Sequence, residues 1–204
     1  MEQLLKSGLR ELDIVANPRQ CDQLLLLLEQ LIKWNKTYNL TAIKNPKQCL
    51  ILHLLDSIAV LPYINQKTIV DVGTGAGFPG LPLAIMLPQT SFTLVDSNSK
   101  KIRFIRQQLH TLKLSNVEAI HSRVEELSGQ QYEAVISRAF TSIDDMVQLT
   151  QQLLTKNGRW LAMKGQYPKD ELETLSVQIK EVNRYPLKIP GLEAQRCLIE
   201  LQPV

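Results

Sequence analysis

Cysteine is scarce in this chain, and no arrangement of it suggests chemistry. Cys21, Cys49 and Cys197 lie far apart and form no C-x-x-C pair, so reduced thiols in an intracellular protein are expected. Histidine is as sparse: His53, His110 and His121 show no paired ligand spacing, and no metal is expected. No apolar run approaches the roughly 20 residues that cross a bilayer, and the N-terminal stretch lacks a signal-peptide layout. A cytoplasmic location with no membrane partner is the expectation, and we expect a monomer. Internal repeats, low-complexity tracts and linkers are also missing. Charge of one sign is nearly balanced: 23 Lys and Arg against 20 Asp and Glu leave +3. That balance is compatible with an RNA partner without arguing for one. With 44% hydrophobic and 21% charged residues in 204, the chain has the composition of an ordinary globular protein with a real core.

What is present is concentrated in Thr68–Gly80, TIVDVGTGAGFPG. Ile69, Val70 and Val72 form a short apolar run of the kind that becomes a buried strand. Gly73, Gly75, Gly77 and Gly80 follow, and PGLPLAIML then reads as a helix with Pro near its first turn. Glycine has no Cβ and tolerates positive φ, so a ligand can lie against the backbone N–H groups of such a turn. Two ligand classes fit. Gly75-x-Gly77-x-x-Gly80 satisfies the dinucleotide fingerprint, with Asp96 about 20 residues on as a ribose-binding acid. Asp71, two residues before Gly73, also gives D-x-G-x-G-x-G, which resembles motif I of class I S-adenosylmethionine (AdoMet) methyltransferases. In those enzymes the glycines approach the methionine portion of AdoMet and the acid sits near its amino group. An acid at the turn would repel a pyrophosphate but is tolerable beside AdoMet.

Residues 1–67 read as a helical extension. Asn17-Pro18 starts a helix, Leu24, Leu27, Leu28, Leu31 and Trp34 form its apolar stripe, and the run Leu24–Leu28 implies cover on more than one side. Asn45-Pro46 opens a second helix running through His53 toward Asp56 and Val60. From Thr68 strands and helices alternate, the signature of a mainly parallel sheet. The expected strands are 69–72, 91–95, 117–120, 132–137 and 158–163. The helices between them are expected at 79–87, 98–113, 143–154 and 168–180, with a short turn at 124–127. Two last strands near 182–189 and 196–201, joined through Pro190-Gly191, form an antiparallel hairpin. A parallel sheet finished by such a hairpin resembles the class I, Rossmann-like AdoMet-dependent methyltransferase core, which is expected over 68–204 behind the extension.

Ligands of open α/β sheets bind beyond the carboxyl ends of the strands. Those ends carry Asp71–Gly77, Asp96, His121–Glu125, Ser137–Ala139 and Lys164-Gly165. Asp96 is placed for ribose hydroxyls, or alternatively caps the next helix. Val124-Glu125 is placed to border the adenine. Arg138 emerges where substrate meets cofactor, or serves a structural ion pair. Lys100, Lys101, Arg123 and Lys164 are candidate RNA contacts, although a solvated helix face explains the first two equally well. The reaction is narrowed by what these positions lack. The Asn/Asp/Ser-Pro-Pro-aromatic loop of N6-adenine methylation is replaced by Ser137-Arg138-Ala139-Phe140, no cysteine lies near the site for cytosine C5 chemistry, and Asp144-Asp145 reads as a helix start. Guanine N7 fits this set, because it carries a lone pair and no proton, so its methylation needs positioning rather than a base.

The segments WNKTYNLTAI (34–43), HLLDS (53–57), DVGTGAGFPGLPLAI (71–85), LVDSNSKKIRFI (94–105), SRVEEL (122–127), SRAF (137–140) and MKG (163–165) resemble the bacterial 16S ribosomal RNA guanine-N7 methyltransferases, the glucose-inhibited division protein B family. The resemblance runs through nearly the whole chain in order. It implies methylation of guanosine 527 of 16S rRNA with AdoMet, on naked RNA, the 30S subunit or its precursor. It also implies cofactor contacts at Gly73, Phe78, Val124, Glu125 and Arg138, where Val124 departs from the family's frequent Ala. The HLLDS face, His53, Asp56 and Ser57, either lines the cofactor mouth or pins the N-terminal helices to the core. Two other classes remain open. One is an NAD-dependent oxidoreductase, whose Tyr63/Lys67 pair precedes the glycines in the wrong order. The other is a non-catalytic RNA-binding or ribosome assembly factor.

Overall fold

The computed structural model describes residues 1–138, 140, 142–175 and 178–204. Helix α1 spans Glu2–Glu11 and α2 Pro18–Tyr38. Asn17 and Gln20 form a reciprocal capping box at the start of α2, with Pro18 in the first turn, and Asn39 closes it in the left-handed conformation. Leu24, Leu27, Leu28 and Leu31 are buried, and Leu25 and Leu26 pack on the same core from beside them. The run of leucines is therefore covered broadly, as its sequence requires.

A continuous helical rod follows, built of α3 (Pro46–Cys49), a π-helical turn (Leu50–Leu55) and α4 (Asp56–Ile58). The periodicity predicts one plain α-helix here. The wider turn has no local cause, since neither Pro nor Gly lies in 47–58. Its contacts are tertiary: the Leu52 carbonyl and the Asp56 carboxylate both receive bonds from Arg138. Insertions of this kind recur at functional sites.

Among the described residues the sheet has strands β1 (Thr68–Val72), β2 (Ser91–Asp96), β3 (Val117–His121), β4 (Tyr132–Arg138), β5 (Leu154–Lys164), β6 (Ile179–Leu187) and β7 (Arg196–Pro203). Their order is β3-β2-β1-β4-β5-β7-β6. The first five are parallel, and β7 runs antiparallel to both β5 and β6. The chain winds outward from β1 to β3 and then returns to β4. This reversal leaves a crevice at the carboxyl ends of β1 and β4, the usual ligand position in such sheets.

Period-two alternation divides the strands between two cores. Ile69, Leu94, Ile136 and Leu161 face the side of α2, α5 (Gly80–Met86) and α6 (Ser99–Leu112). Val70, Val95, Val135 and Trp160 face the side of α7 (Ile143–Thr150) and α8 (Lys169–Glu173). Both faces are covered, so the strands read as near-continuous apolar runs.

Three boundaries differ from the sequence reading. Helix α7 is α-helical to Thr150 and tightens into a 3-10 turn over Gln151–Leu153 before β5. Strand β5 starts at Leu154, which pairs with Tyr132 across a register shift before Ala134. Ile179 and Lys180, expected in the helix 168–180, instead pair with Pro203 and Gln202, where the open edge of β7 offers them hydrogen bonds. Ser176 and Val177 of that expected helix lie outside the described residues, as does Ala139 of the expected strand-end segment Ser137–Ala139.

Polar side chains bolt α2 to the ends of other helices. Gln20 Nε2 donates to the carbonyls of Ile85 and Met86 at 3.1 and 3.2 Å, and Gln23 Nε2 to that of Leu112 at 2.6 Å. These bonds satisfy carbonyls that the last turns of α5 and α6 leave free. Gln20→Ala removes half of the capping box as well as this anchor, and should destabilise the fold by about 1–2 kcal/mol. The expected observation is a lower urea midpoint with an unchanged slope.

Candidate functional site

Past β1 the backbone turns through Gly73, Gly75 and Gly77, all at positive φ (67°, 62° and 91°). A Cβ on Gly73 would meet nothing within 4 Å, so this part of the turn faces open space. Gly80 is the opposite case: a Cβ there would lie 2.1 Å from Leu94 Cδ2 and 2.8 Å from Asp71 Oδ2. The backbone of α5 comes that close because Asp71 holds it. Asp71 Oδ2 accepts from Gly80 N–H at 2.8 Å and from the Thr74 hydroxyl at 2.6 Å. Asp71 is fully buried, and its Oδ1 has no hydrogen-bond partner among the described residues. Burial pushes the Asp71 pKa up to about 7, against the pull of the Thr74 and Gly80 bonds.

Asp96 grips the same turn from the next strand. Its Oδ2 accepts from Gly75 N–H and its Oδ1 from Asn98 N–H, each at 2.8 Å. The N-cap of α6 is Asn98, whose side chain accepts from Lys100 N–H and Lys101 N–H. Asp96 is thereby relieved of the capping role considered for it. Lys101 Nζ lies 3.9 Å from Asp96 Oδ2.

A cleft of about 260 Å³ opens here, lined by Gly73, Asp96, Arg123, Val124 and Glu125 together with Phe140 and Leu149. These residues fit AdoMet. The open side of Gly73 admits a ligand to the backbone, and the two Asp96 oxygens each retain acceptor capacity for ribose hydroxyls. Val124, Phe140 and Leu149 provide apolar wall for an adenine. Five of the residues singled out in the sequence therefore meet at one cleft: Gly73, Asp96, Arg123, Val124 and Glu125. Asp71 and Phe78 do not line it. Asp71 braces the turn from behind, and Phe78 is buried with its ring stacked on His53 at 4.8 Å.

Arg138, the last residue of β4, belongs to a second group. Its Nη1 donates to the Leu52 carbonyl at 2.8 Å and to Asp56 Oδ2 at 2.9 Å. Its Nη2 lies 3.4 Å from His53 Nδ1, and the guanidinium sits 5.9 Å from the Phe78 ring centre. Asp56 Oδ1 accepts from Arg196 Nε at 3.1 Å. Burial, reinforced by Arg138, lowers the His53 pKa from 6.5 to about 4, so the ring is neutral. Arginine only donates, so Nδ1 is the acceptor and the ring proton is on Nε2, 3.0 Å from Thr41 Oγ1.

A second cavity of about 380 Å³ lies beside this group, with Lys164 and Arg196 on its wall. Lys164 is paired with Glu171 of α8 at 2.8 Å, whereas Lys100 and Arg123 are exposed. Arg196 escaped the sequence reading altogether. It lies 140 positions beyond its partner Asp56, and an arginine opening a terminal strand carries no local signal.

His53 imposes a pH dependence. Its folded pKa lies below the unfolded value, so the stability it contributes is complete above about 6.5 and is lost as pH falls toward 4. Asp71 acts oppositely, since its raised pKa removes stability as pH rises from about 4 to about 7. His53→Gln should therefore flatten the acid-side loss: between pH 7 and pH 5 the wild type should lose about 2 kcal/mol more than the variant in urea unfolding. Equal losses in both would show that His53 titrates normally.

Residues 20–199 match the family model described as rRNA small subunit methyltransferase G, GidB. The chain is 46% identical over 200 residues to Ribosomal RNA small subunit methyltransferase G of Idiomarina loihiensis, covering 98% of this chain and 97% of that protein. Among solved structures, TrmN from Thermus thermophilus superposes with TM-score 0.58 at 14% identity, over 72% of this chain and 47% of that one. Coclaurine N-methyltransferase, bound to N-methylheliamine and SAH, superposes with TM-score 0.57 at 14% identity, over 91% and 74%. At these identities the solved structures establish the fold alone: a class I methyltransferase sheet. With the family model spanning most of its length and a relative this similar end to end, the chain belongs to the GidB family, rRNA small subunit methyltransferase G.

Proposed function

We propose that this protein transfers a methyl group from AdoMet to N7 of a guanine in 16S ribosomal RNA, guanosine 527, acting as a cytoplasmic monomer on the 30S subunit or its precursor. The observation that carries the reading is the cleft where Gly73, Asp96 and Glu125 meet, with Arg138 at the adjoining strand end. Bound AdoMet supplies an activated methyl on a sulfonium centre. The chain's own task is then to hold, align and exclude water. Guanine N7 presents a lone pair and releases no proton, so no general base is required. The surroundings suit that chemistry. His53 is neutral with its Nδ1 turned to Arg138, and Asp56 is held in two ion pairs, so neither is free to take a proton.

Arg138 is the positioning group. Three acceptors on the helical rod, Leu52 O, Asp56 and His53, fix its planar guanidinium at the end of β4. Asp96 holds the ribose while keeping the turn closed through Gly75. Val124 and Glu125 border the adenine. Gly75, Gly77 and Phe78 shape the turn, and Asp71 fixes it to α5. Lys100, Lys101 and Arg123 form a rim for RNA phosphates near the carboxyl ends of β2 and β3, and Lys164 joins it from the end of β5.

The direct test is N7-methylguanosine at position 527 in rRNA from cells with and without the protein; its persistence in cells lacking the protein would refute the assignment. Charge-assisted bonds to ribose contribute about 1.5–3 kcal/mol, so Asp96→Ala should weaken AdoMet binding roughly 10- to 150-fold in calorimetry. Arg138→Lys keeps the charge but cannot reach the same acceptors in one plane. Its single-turnover methylation should fall roughly 10- to 100-fold with folding retained, and a wild-type rate would remove Arg138 from the site.

A further inference from the structure

The segment 34–43 adds nothing to the wall of the cofactor cleft, yet it folds around a space of its own. A pocket of about 320 Å³ lies between the last turns of α2 and the start of the helical rod. Leu31, Ile32, Lys36, Asn39, Ile43 and Lys44 are on its wall. Asn35, itself buried, accepts from Thr41 N–H at 2.9 Å and donates to Ile43 O at 3.3 Å. Cys49 Sγ–H donates to the same carbonyl at 3.4 Å. The loop after α2 is therefore fixed before any guest arrives. It is also joined to the site: Thr41 Oγ1 meets His53 Nε2, and His53 Nδ1 faces Arg138 Nη2. Ile43 borders both this pocket and the cavity beside Arg138, so one side chain stands between them.

The wall chemistry selects the guest. Lys36 and Lys44 are exposed and make no ion pair among the described residues. Between Glu29 and Asp56 the chain carries four lysines, Lys33, Lys36, Lys44 and Lys47, and no acid. All four are exposed, so this end of the extension presents unbalanced positive charge. Asn39 adds a second signal. It closes α2 at φ 51°, where glycine is the usual residue and sits without strain. Asparagine there instead sets an amide at the pocket, and that amide has no hydrogen-bond partner among the described residues. Leu31, Ile32 and Ile43 supply apolar surface. An apolar slot, a free amide that both donates and accepts, and two unpaired lysines complement a splayed nucleobase and its phosphates.

We propose that this pocket seats a nucleotide of the RNA other than the acceptor, one that flanks it in the chain. Its base lies against Leu31, Ile32 and Ile43 with an edge on the Asn39 amide, and its phosphates lie on Lys36 and Lys44. This rests on the function proposed above and adds to it a second RNA contact, on the N-terminal extension. The bonds from Asn35 through Thr41 to His53 then fix the position of that contact relative to Arg138. A nucleotide held here sets the register of the RNA strand against the methyl donor.

Asn39→Gly tests the base contact without endangering the fold, because glycine takes the left-handed position freely. It should keep the wild-type urea midpoint and AdoMet affinity. Its affinity for unmethylated 30S subunits should fall roughly 2- to 13-fold, the loss of one hydrogen bond. Lys36→Gln combined with Lys44→Gln should reduce the slope of log K for 30S binding against log salt by about 1.4–1.8, two phosphate contacts. AdoMet affinity should again stay within twofold of wild type. An unchanged slope in the double variant overturns the proposal, as does unchanged 30S affinity in Asn39→Gly. Loss of AdoMet binding in either variant also overturns it, by making the segment part of the cofactor site. Benzoylphenylalanine in place of Lys44 should photocrosslink to 16S rRNA. A crosslink to ribosomal protein alone assigns the pocket to a protein partner and overturns the proposal. Wild-type protein that neither binds AdoMet nor methylates rRNA refutes the underlying reading instead.

Discussion

One carboxylate joins three distant parts of this chain. Asp56 stands on the N-terminal helical rod, Arg138 ends β4 and Arg196 begins β7, and the two half-buried arginines meet on the buried Asp56 carboxylate. Burying a charged carboxylate is costly, and an apolar replacement of similar shape can be as stable. What the arrangement supplies is register. The rod is fixed over the parallel half of the sheet and the antiparallel half at once, and the geometry holds only if every partner is in place. The π-helical turn at Leu50–Leu55 belongs to the same constraint, since it sets the Leu52 carbonyl beside Asp56 at the Arg138 guanidinium.

Two further carboxylates work on backbone rather than on cations. Asp71 takes the first N–H of α5, and Asp96 takes Gly75 N–H from the neighbouring strand. Between them the glycine turn is held at Gly75 and Gly80, while Gly73 stays exposed beside the cleft. A turn of positive-φ glycines is entropically expensive to order, and these bonds offset that expense. The design has a second consequence in pH. Asp71 and His53, both buried close to Arg138, contribute stability of opposite pH sign over the same acid range.

Charge around the site is more balanced than the basic residues suggest. Lys101 lies near Asp96, Lys164 is paired with Glu171, and Arg138 and Arg196 share Asp56. The exposed cations close to the strand ends are Lys100 and Arg123. Such pairing leaves little long-range field around the site and only a few geometrically fixed donors.

The chain's pattern determined much by itself. The strand–glycine–helix unit at Thr68–Gly80, the alternation of strands with helices and the final hairpin are local features. Each is written in periodicity, caps and turn residues, and the observed sheet follows them. The positions Gly73, Asp96, Val124 and Glu125 were legible for the same reason, since strand ends in a parallel sheet fall on one side. Tertiary structure decided what depends on partners far along the chain. Ile179 and Lys180 have a helical context in sequence, yet they join β6 because β7 offers an edge. Asp71 reads as a ligand-facing acid, yet it turns inward because Gly80 and Thr74 present donors there. Asp56 and Arg196, 140 positions apart, show no signal of each other. Their pairing exists only after the sheet has brought β7 beside β5, because an ion pair depends on distance in space and not on distance along the chain.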